Sequence, residues 1–157
     1  MGKTKQSGAV VDPLALERQV CFALVVASRS VLSVYRPLLE PMGLTHPQYL
    51  VMLALWEQSP RSVGEIAGLL QLDSPTLSPL LKRLEAAGLI TRTRSNDDER
   101  RLDIELTAHG RELRREAEKI PPAVVERLGM GLNELEALHA SLTKVISAAN
   151  AASDDSA

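Results

Sequence analysis

The chain has 157 residues, 45% of them hydrophobic, 24% charged and 3% aromatic. That balance fits one soluble globular domain whose core, drawn from Leu, Val, Ile and Ala, suits packed helices better than sheet sandwiches. A formal net charge of −2 excludes a uniformly basic nucleic-acid binder, and a single cysteine excludes an intrachain disulfide framework.

Residues 1–12, opening "MGKTKQSGAV", are small and polar and read as a disordered arm. Leu14, Leu16, Val20, Leu24, Ala27, Val31 and Val34 then recur at helical spacing, with Asp12 as N-cap and Pro13 at the first helical position. This helix is expected to stop before Pro37. It carries Cys21 in an apolar segment, where a lone thiol is a small core residue, a link between chains or a reactive group. A second helix, His46 to about Gln58, follows Thr45 as N-cap, with Leu50, Leu53, Ala54 and Trp56 as expected core and Tyr49 expected to pack there as well.

The next stretch predicts a short helix over Ser62–Leu70, a tight turn, and a second helix with Ser74 as N-cap, Pro75 at its first position and Gly88 past its end. This is a helix-turn-helix pattern. "LITRTR" and "RLDIEL" both alternate at period two around the charged loop "SNDDER", so a β-hairpin follows. The combination is a winged helix, whose second helix enters the major groove while the hairpin reaches the minor groove. Between Lys82 and Arg101 six basic residues face four acidic ones, so this stretch carries +2 and the rest of the chain −4.

On the second helix Leu77, Leu80, Leu81 and Leu84 are expected to face the core. Ser74, Thr76 and Ser78 then point outward to reach bases or phosphates, with Lys82 and Arg83 suited to phosphate neutralisation. The plain alternative is a solvated helix face. Arg92, Arg94, Arg100 and Arg101 of the hairpin tip the balance towards double-stranded DNA. Asp98, two residues before Arg100, is placed to orient its guanidinium for the narrow minor groove; the alternative is a surface ion pair.

Helical pattern resumes at Thr107 through Lys119, is broken by Pro121 and Pro122, and continues to about Ala149 with Leu132, Leu135, Leu138, Leu142, Val145, Ile146 and Ala149 in one apolar stripe. Residues 151–157 read as a disordered tail. Residues 13–40 and 107–150 carry more apolar helix than a small DNA-binding region over 46–106 can cover, which points to a helical homodimer interface built from both ends of the chain. The fold class is therefore mainly α with a small β-hairpin wing. His109 and His139 are too far apart to suggest a metal, and no cofactor is expected. Charges interrupt the apolar segments, no leader is visible, and a free thiol fits a reducing compartment, so a cytoplasmic protein without a membrane span is expected.

The segments "LTHPQYLVMLALWE", "SVGEIAGLLQLDSPTLSPLLKRLEAAGLITR" and "DERRLDIELTAHG" resemble the MarR family of dimeric winged-helix transcription regulators, over nearly the whole chain from about Leu14 to Ala149. Within that family "QVCFALVVASR" and "YRPLLEPMGLTHPQYLVMLALWE" are most similar to the organic hydroperoxide sensing repressors, cysteine included. The resemblance implies a repressor that binds a pseudo-palindromic operator when reduced and releases it when Cys21 is oxidised by an organic hydroperoxide. It also implies that tyrosine hydroxyls hold the thiol. Tyr35 occupies one matching position, whereas Val25 and His46 stand where some members have tyrosine; His46 remains a second candidate thiol partner.

Fourteen residues separate Cys21 from Tyr35, about 21 Å on a continuous helix, so the two can meet only across an antiparallel dimer. Oxidation there would disturb two recognition helices that should stand about 34 to 36 Å apart on DNA. With one cysteine per chain, the sulfenate has to be trapped by a small cellular thiol, cyclise with a backbone nitrogen or oxidise further. The alternative is a MarR-type repressor released by a small aromatic or lipophilic ligand, with Cys21 structural. An enzyme, a thiol peroxidase, fits least: no resolving cysteine is present and the hairpin arginines would be idle.

Overall fold

Several helices start where a side chain accepts an amide left unpaired in the first turn. The computed structural model describes residues 12–155 and shows α1 (Val20–Leu39), α2 (His46–Glu57), β1 (Arg61–Ser62), α3 (Val63–Leu70), α4 (Ser74–Ala86), β2 (Ile90–Arg94), β3 (Leu102–Leu106), α5 (Ala108–Ala117), α6 (Ile120–Leu128) and α7 (Leu132–Asp154). The expected arm lies, Asp12 apart, outside the described residues. Thr45 and Gln48 form a reciprocal capping box on α2, as Ser62 and Glu65 do on α3. Thr107 Oγ1 accepts the Gly110 amide at the start of α5. On α4 the cap is Asp73, not Ser74: its carboxylate accepts the Thr76 amide at 2.8 Å, which makes Ser74 the first helical residue.

Contacts divide the chain after Ser33. In the first unit Asp12 does not start the helix. Its carboxylate accepts the Leu14 amide at 2.9 Å and closes a local turn. A 3-10 turn over Leu16–Arg18 follows, and α1 begins only at Val20. Val20, Phe22, Val25, Val26 and Leu32 are exposed. Contrary to expectation, α1 runs through Pro37 to Leu39. Proline's fixed φ is helical, although it removes one backbone bond, and the nearly complete burial of Leu39 offsets part of that loss. Also against expectation, Val20–Met42 is long and apolar enough to cross a membrane by length and composition, with a mean hydropathy of 1.3. An apolar helix that packs on other protein helices has the same composition.

The second unit, from Val34 onward, holds the core. Strands pair in the order β1-β3-β2, all antiparallel, with Ile104 of the central strand opposite both Arg61 and Arg92. Strand β1 is two residues long, too short to leave an alternating pattern in the sequence. Leu77, Leu80, Leu81 and Leu84 of α4 are buried as expected, in one cluster with Val51, Met52, Leu55, Ile66 and Ile104. The expected core of α2 needs correction. Leu53 is 41% exposed and Leu50 only partly buried, while Val51, Met52 and Leu55 join the expected Tyr49, Ala54 and Trp56 inside. Helix α2 touches α3, α4, α5 and β3, so no single stripe marks its buried side.

Helix α5 ends at Ala117 and α6 opens at Ile120, with Pro121 in its first turn. The prolines thus start a helix as much as they stop one. Helix α7 continues to Asp154, past the expected end near Ala149, so most of the expected tail is helical. Ala151 and Ala152 favour helix, and Ser153 Oγ donates to the Ala149 carbonyl at 3.0 Å. No residue of α7 is buried, and Leu132, Leu138, Val145 and Ile146 are exposed.

Two features tie α2 to its surroundings. The rings of Tyr35 and His46 meet edge to face with centroids 4.9 Å apart, Tyr49 lies 6.0 Å from Tyr35, and Trp56 lies 6.4 Å from Tyr49. Burial pushes the His46 imidazole below its usual pKa and the Tyr49 phenol above its own, the latter helped by Tyr35. At the far end Trp56 Nε1 donates to the Gly110 carbonyl at 2.8 Å. Gly110 itself lies so close to the Leu89 carbonyl that a Cβ would collide with that backbone oxygen.

Gly110→Ala is therefore expected to destabilise the protein by about 1–3 kcal/mol, as overpacking against backbone does, measured by urea unfolding. The unfolded state binds a proton on His46 more readily than the native state, so His46 adds stability above pH 6.5 that is lost as pH falls through 6.5 towards its lowered native value. Thermal melts should show a smaller loss between pH 7.5 and 5.5 for His46→Gln than for the parent protein.

Candidate nucleic-acid interface

Burial of its leucine face turns the opposite side of α4 to solvent. Ser74, Thr76, Ser78, Lys82 and Arg83 are all exposed, as expected. The hydroxyl residues occupy the N-terminal part, where unpaired amides and the helix dipole favour a phosphate. Asp73, overlooked in the sequence, adds a carboxylate at this tip. Hydrogen bonds from Thr76, first from the side chain and then from the backbone, hold its pKa below the usual value. The "DSP" string contains two eligible caps, and the residue before the proline looked like the natural one.

In the wing, Ile90, Arg92 and Arg94 stand opposite Leu106, Ile104 and Leu102, so these six share one face, while Thr91 and Thr93 occupy the other with Glu105 and Asp103. Exposure rises outward along the first face: Ile90 is buried, Arg92 half-buried and Arg94 exposed. The arginines are not equivalent. Arg92 Nε donates to Glu85 Oε2 at 2.7 Å, and its terminal nitrogen lies 2.6 Å from the same oxygen. Arg101 Nε donates to Asp103 at 2.9 Å and a second nitrogen reaches Glu65 at 3.4 Å. Asp103 and Glu65 raise the Arg101 pKa above its usual value. Lys82, Arg83, Arg94 and Arg100 have no carboxylate partner within 4.0 Å among the described residues. Arg94 and Arg100 also line a cleft of about 220 Å³ at the wing with Glu99, Arg101 and Leu102.

The expected orienting role of Asp98 takes a different form. Its carboxylate accepts the backbone amide of Arg100 at 3.0 Å and its carbonyl accepts the Arg101 amide at 2.9 Å. Asp98 thus shapes the turn that presents Arg100 through backbone contacts. Two-residue spacing fits an Asx turn as well as an ion pair, and the sequence could not separate them.

Cys21 is exposed on α1 and is the free thiol of the chain. Tyr35 and His46, the expected thiol partners, are brought together in one ring pair. His109 and His139 are exposed. Among the described residues no three His, Cys, Asp or Glu side chains gather as a metal site would require.

Comparison with known proteins agrees with this architecture. The profile of the MarR family matches residues 44–102, which span α2 to the start of β3. The chain is 42% identical over 131 residues to the organic hydroperoxide resistance transcriptional regulator of Bacillus subtilis, covering 83% of this chain and 89% of that one. It is 48% identical over 127 residues to the HTH-type transcriptional regulator TtmR of Methylorubrum extorquens; the match covers 81% of this chain and 65% of TtmR, so the chain spans about two thirds of that relative's length. Among solved structures, reduced AbfR bound to DNA superposes with a TM-score of 0.70 at 34% identity, over 84% of this chain and 92% of that one; AbfR is a protein of Staphylococcus epidermidis. With a winged helix of this geometry and relatives of this closeness, the chain belongs to the MarR family and is a winged-helix transcriptional regulator, not an enzyme.

Proposed function

We propose that this regulator is a homodimeric, cytoplasmic repressor that holds a pseudo-palindromic operator while Cys21 is reduced and releases it when an organic hydroperoxide oxidises that thiol. The observation that carries this reading is the exposed Cys21 on α1 in a chain so similar to an organic hydroperoxide resistance regulator. In the reaction the Cys21 thiolate attacks the terminal oxygen of ROOH. The O–O bond breaks, an S–O bond forms, and the alkoxide leaves with a proton as ROH, so the cysteine is oxidised to sulfenic acid and the peroxide reduced. A small cellular thiol then condenses with the sulfenic acid, giving a mixed disulfide and water. Supporting dimerisation, Val20, Phe22, Val25, Val26 and Leu32 of α1 and Leu132, Leu138, Val145 and Ile146 of α7 are exposed. Antiparallel α1 helices would set the partner's Tyr35 beside Cys21, with His46 next to that tyrosine as a further hydrogen-bonding group.

On the DNA side, Ser74, Thr76, Ser78, Lys82 and Arg83 would line the major groove, with Arg94 and Arg100 at the minor groove. A second reading, release by a small aromatic or lipophilic ligand, draws on an open cleft of about 330 Å³ lined by Tyr49, Leu53, Trp56, Arg114 and Pro121.

The test is binding to a duplex of the upstream sequence at stated salt, with and without an organic hydroperoxide. Wild type should lose binding on oxidation, and Cys21→Ser should bind equally well before and after. Release of Cys21→Ser by hydroperoxide overturns the thiol assignment and sends the search to the cleft. Arg100→Ala should weaken binding with or without oxidant and lower the salt slope by about one per contact removed; an unchanged affinity removes the wing from the interface.

A further inference from the structure

We propose that Arg92 is a positioning residue and not a DNA contact: with Glu85 it forms a strut that sets the angle between the recognition helix α4 and the wing strand β2. This rests on the DNA-binding reading above and divides the basic residues within it.

Three observations carry the division. Arg92 shares the Ile90 face of β2 and stands opposite Ile104, which is fully buried, so its stem leaves the strand on the core side and not on the side of Thr91 and Thr93. Both of its contacting nitrogens converge on one oxygen of Glu85, in the last turn of α4, at 2.7 and 2.6 Å. With side chains only 28% and 39% exposed, this is the most shielded ion pair connecting the wing to the helix-turn-helix. A second tie, Arg101 to Glu65 at 3.4 Å, joins the other limb of the hairpin to α3. The wing is therefore held from both sides, and Arg94 and Arg100 remain as its cations without carboxylate partners among the described residues.

Charge supplies a test of opposite sign. Glu85 is an anion on a surface proposed to meet phosphates, so on Coulomb grounds alone its removal strengthens DNA binding. If Glu85 holds the wing in register, its removal weakens binding.

The experiment is a double-mutant cycle on duplex binding by the reduced protein across a salt series, with Glu85→Gln, Arg92→Gln, the double variant, and the reversed pair Glu85→Arg with Arg92→Glu. Amide hydrogen exchange of β2 without DNA is the second readout. Each single variant is expected to bind about fivefold more weakly and to exchange faster at Thr91–Arg94. The double variant should be no worse than either single one, and the reversed pair should recover much of the loss. Tighter or unchanged binding by Glu85→Gln overturns the proposal. So does a drop of about one in the salt slope for Arg92→Gln with Glu85→Gln unaffected, which makes Arg92 a phosphate contact. Unchanged exchange of β2 in both single variants also overturns it. A wild-type protein that fails to bind any upstream duplex overturns instead the DNA-binding reading on which the strut depends.

Discussion

Burial of four leucines on one face of α4 constrains every other part of the interface. Once Leu77, Leu80, Leu81 and Leu84 are packed with Val51, Met52 and Leu55 of α2, the helix has no rotational freedom left, and Ser74, Thr76, Ser78, Lys82 and Arg83 are turned outward together. Each buried leucine contributes about 1.5–3 kcal/mol. Rotating the helix to present a different set of side chains would expose several of them at once. The hydrophobic core therefore chooses which polar residues meet solvent, and the wing is placed relative to that choice by its own apolar pair, Ile90 with Leu106, and by the burial of Ile104 on the central strand.

Features written at a single periodicity were legible in the sequence. The leucine spacing of α4, Gly88 beyond its end and the alternation in both limbs of the hairpin led to the winged helix and to its outward residues. What escaped were interactions between elements. Arg92 and Arg94 look alike in "TRTR"; only folding brings Glu85, seven residues upstream and on a different element, against one and not the other. Asp98 beside Arg100 looks like an ion pair, because spacing does not reveal whether a carboxylate faces a guanidinium or a backbone amide. Leu53 departs from its expected burial because a helix surrounded on several sides has no apolar stripe to read. Pro37 reads as a stop in the sequence because the burial of Leu39 beyond it is a tertiary effect.

The chain also separates its chemistry. The thiol lies on the N-terminal helix and the cations on the helix-turn-helix and wing. The exposed apolar residues of α7 and of α1 are available to the proposed dimer.

The junction at Gly110 leaves little slack within the DNA-binding part. The Leu89 carbonyl, at the foot of the wing, accepts the Thr107 amide at 3.1 Å, Thr107 Oγ1 donates to the Gly88 carbonyl at 2.6 Å, and Trp56 of α2 reaches across to the Gly110 carbonyl. With Gly110 pressed against Leu89, α5 and the wing root are fastened backbone to backbone, without a side-chain layer between them to deform. A tilt of α5 would therefore act directly on the root of the hairpin that carries Arg100, with no side chain between them to take it up.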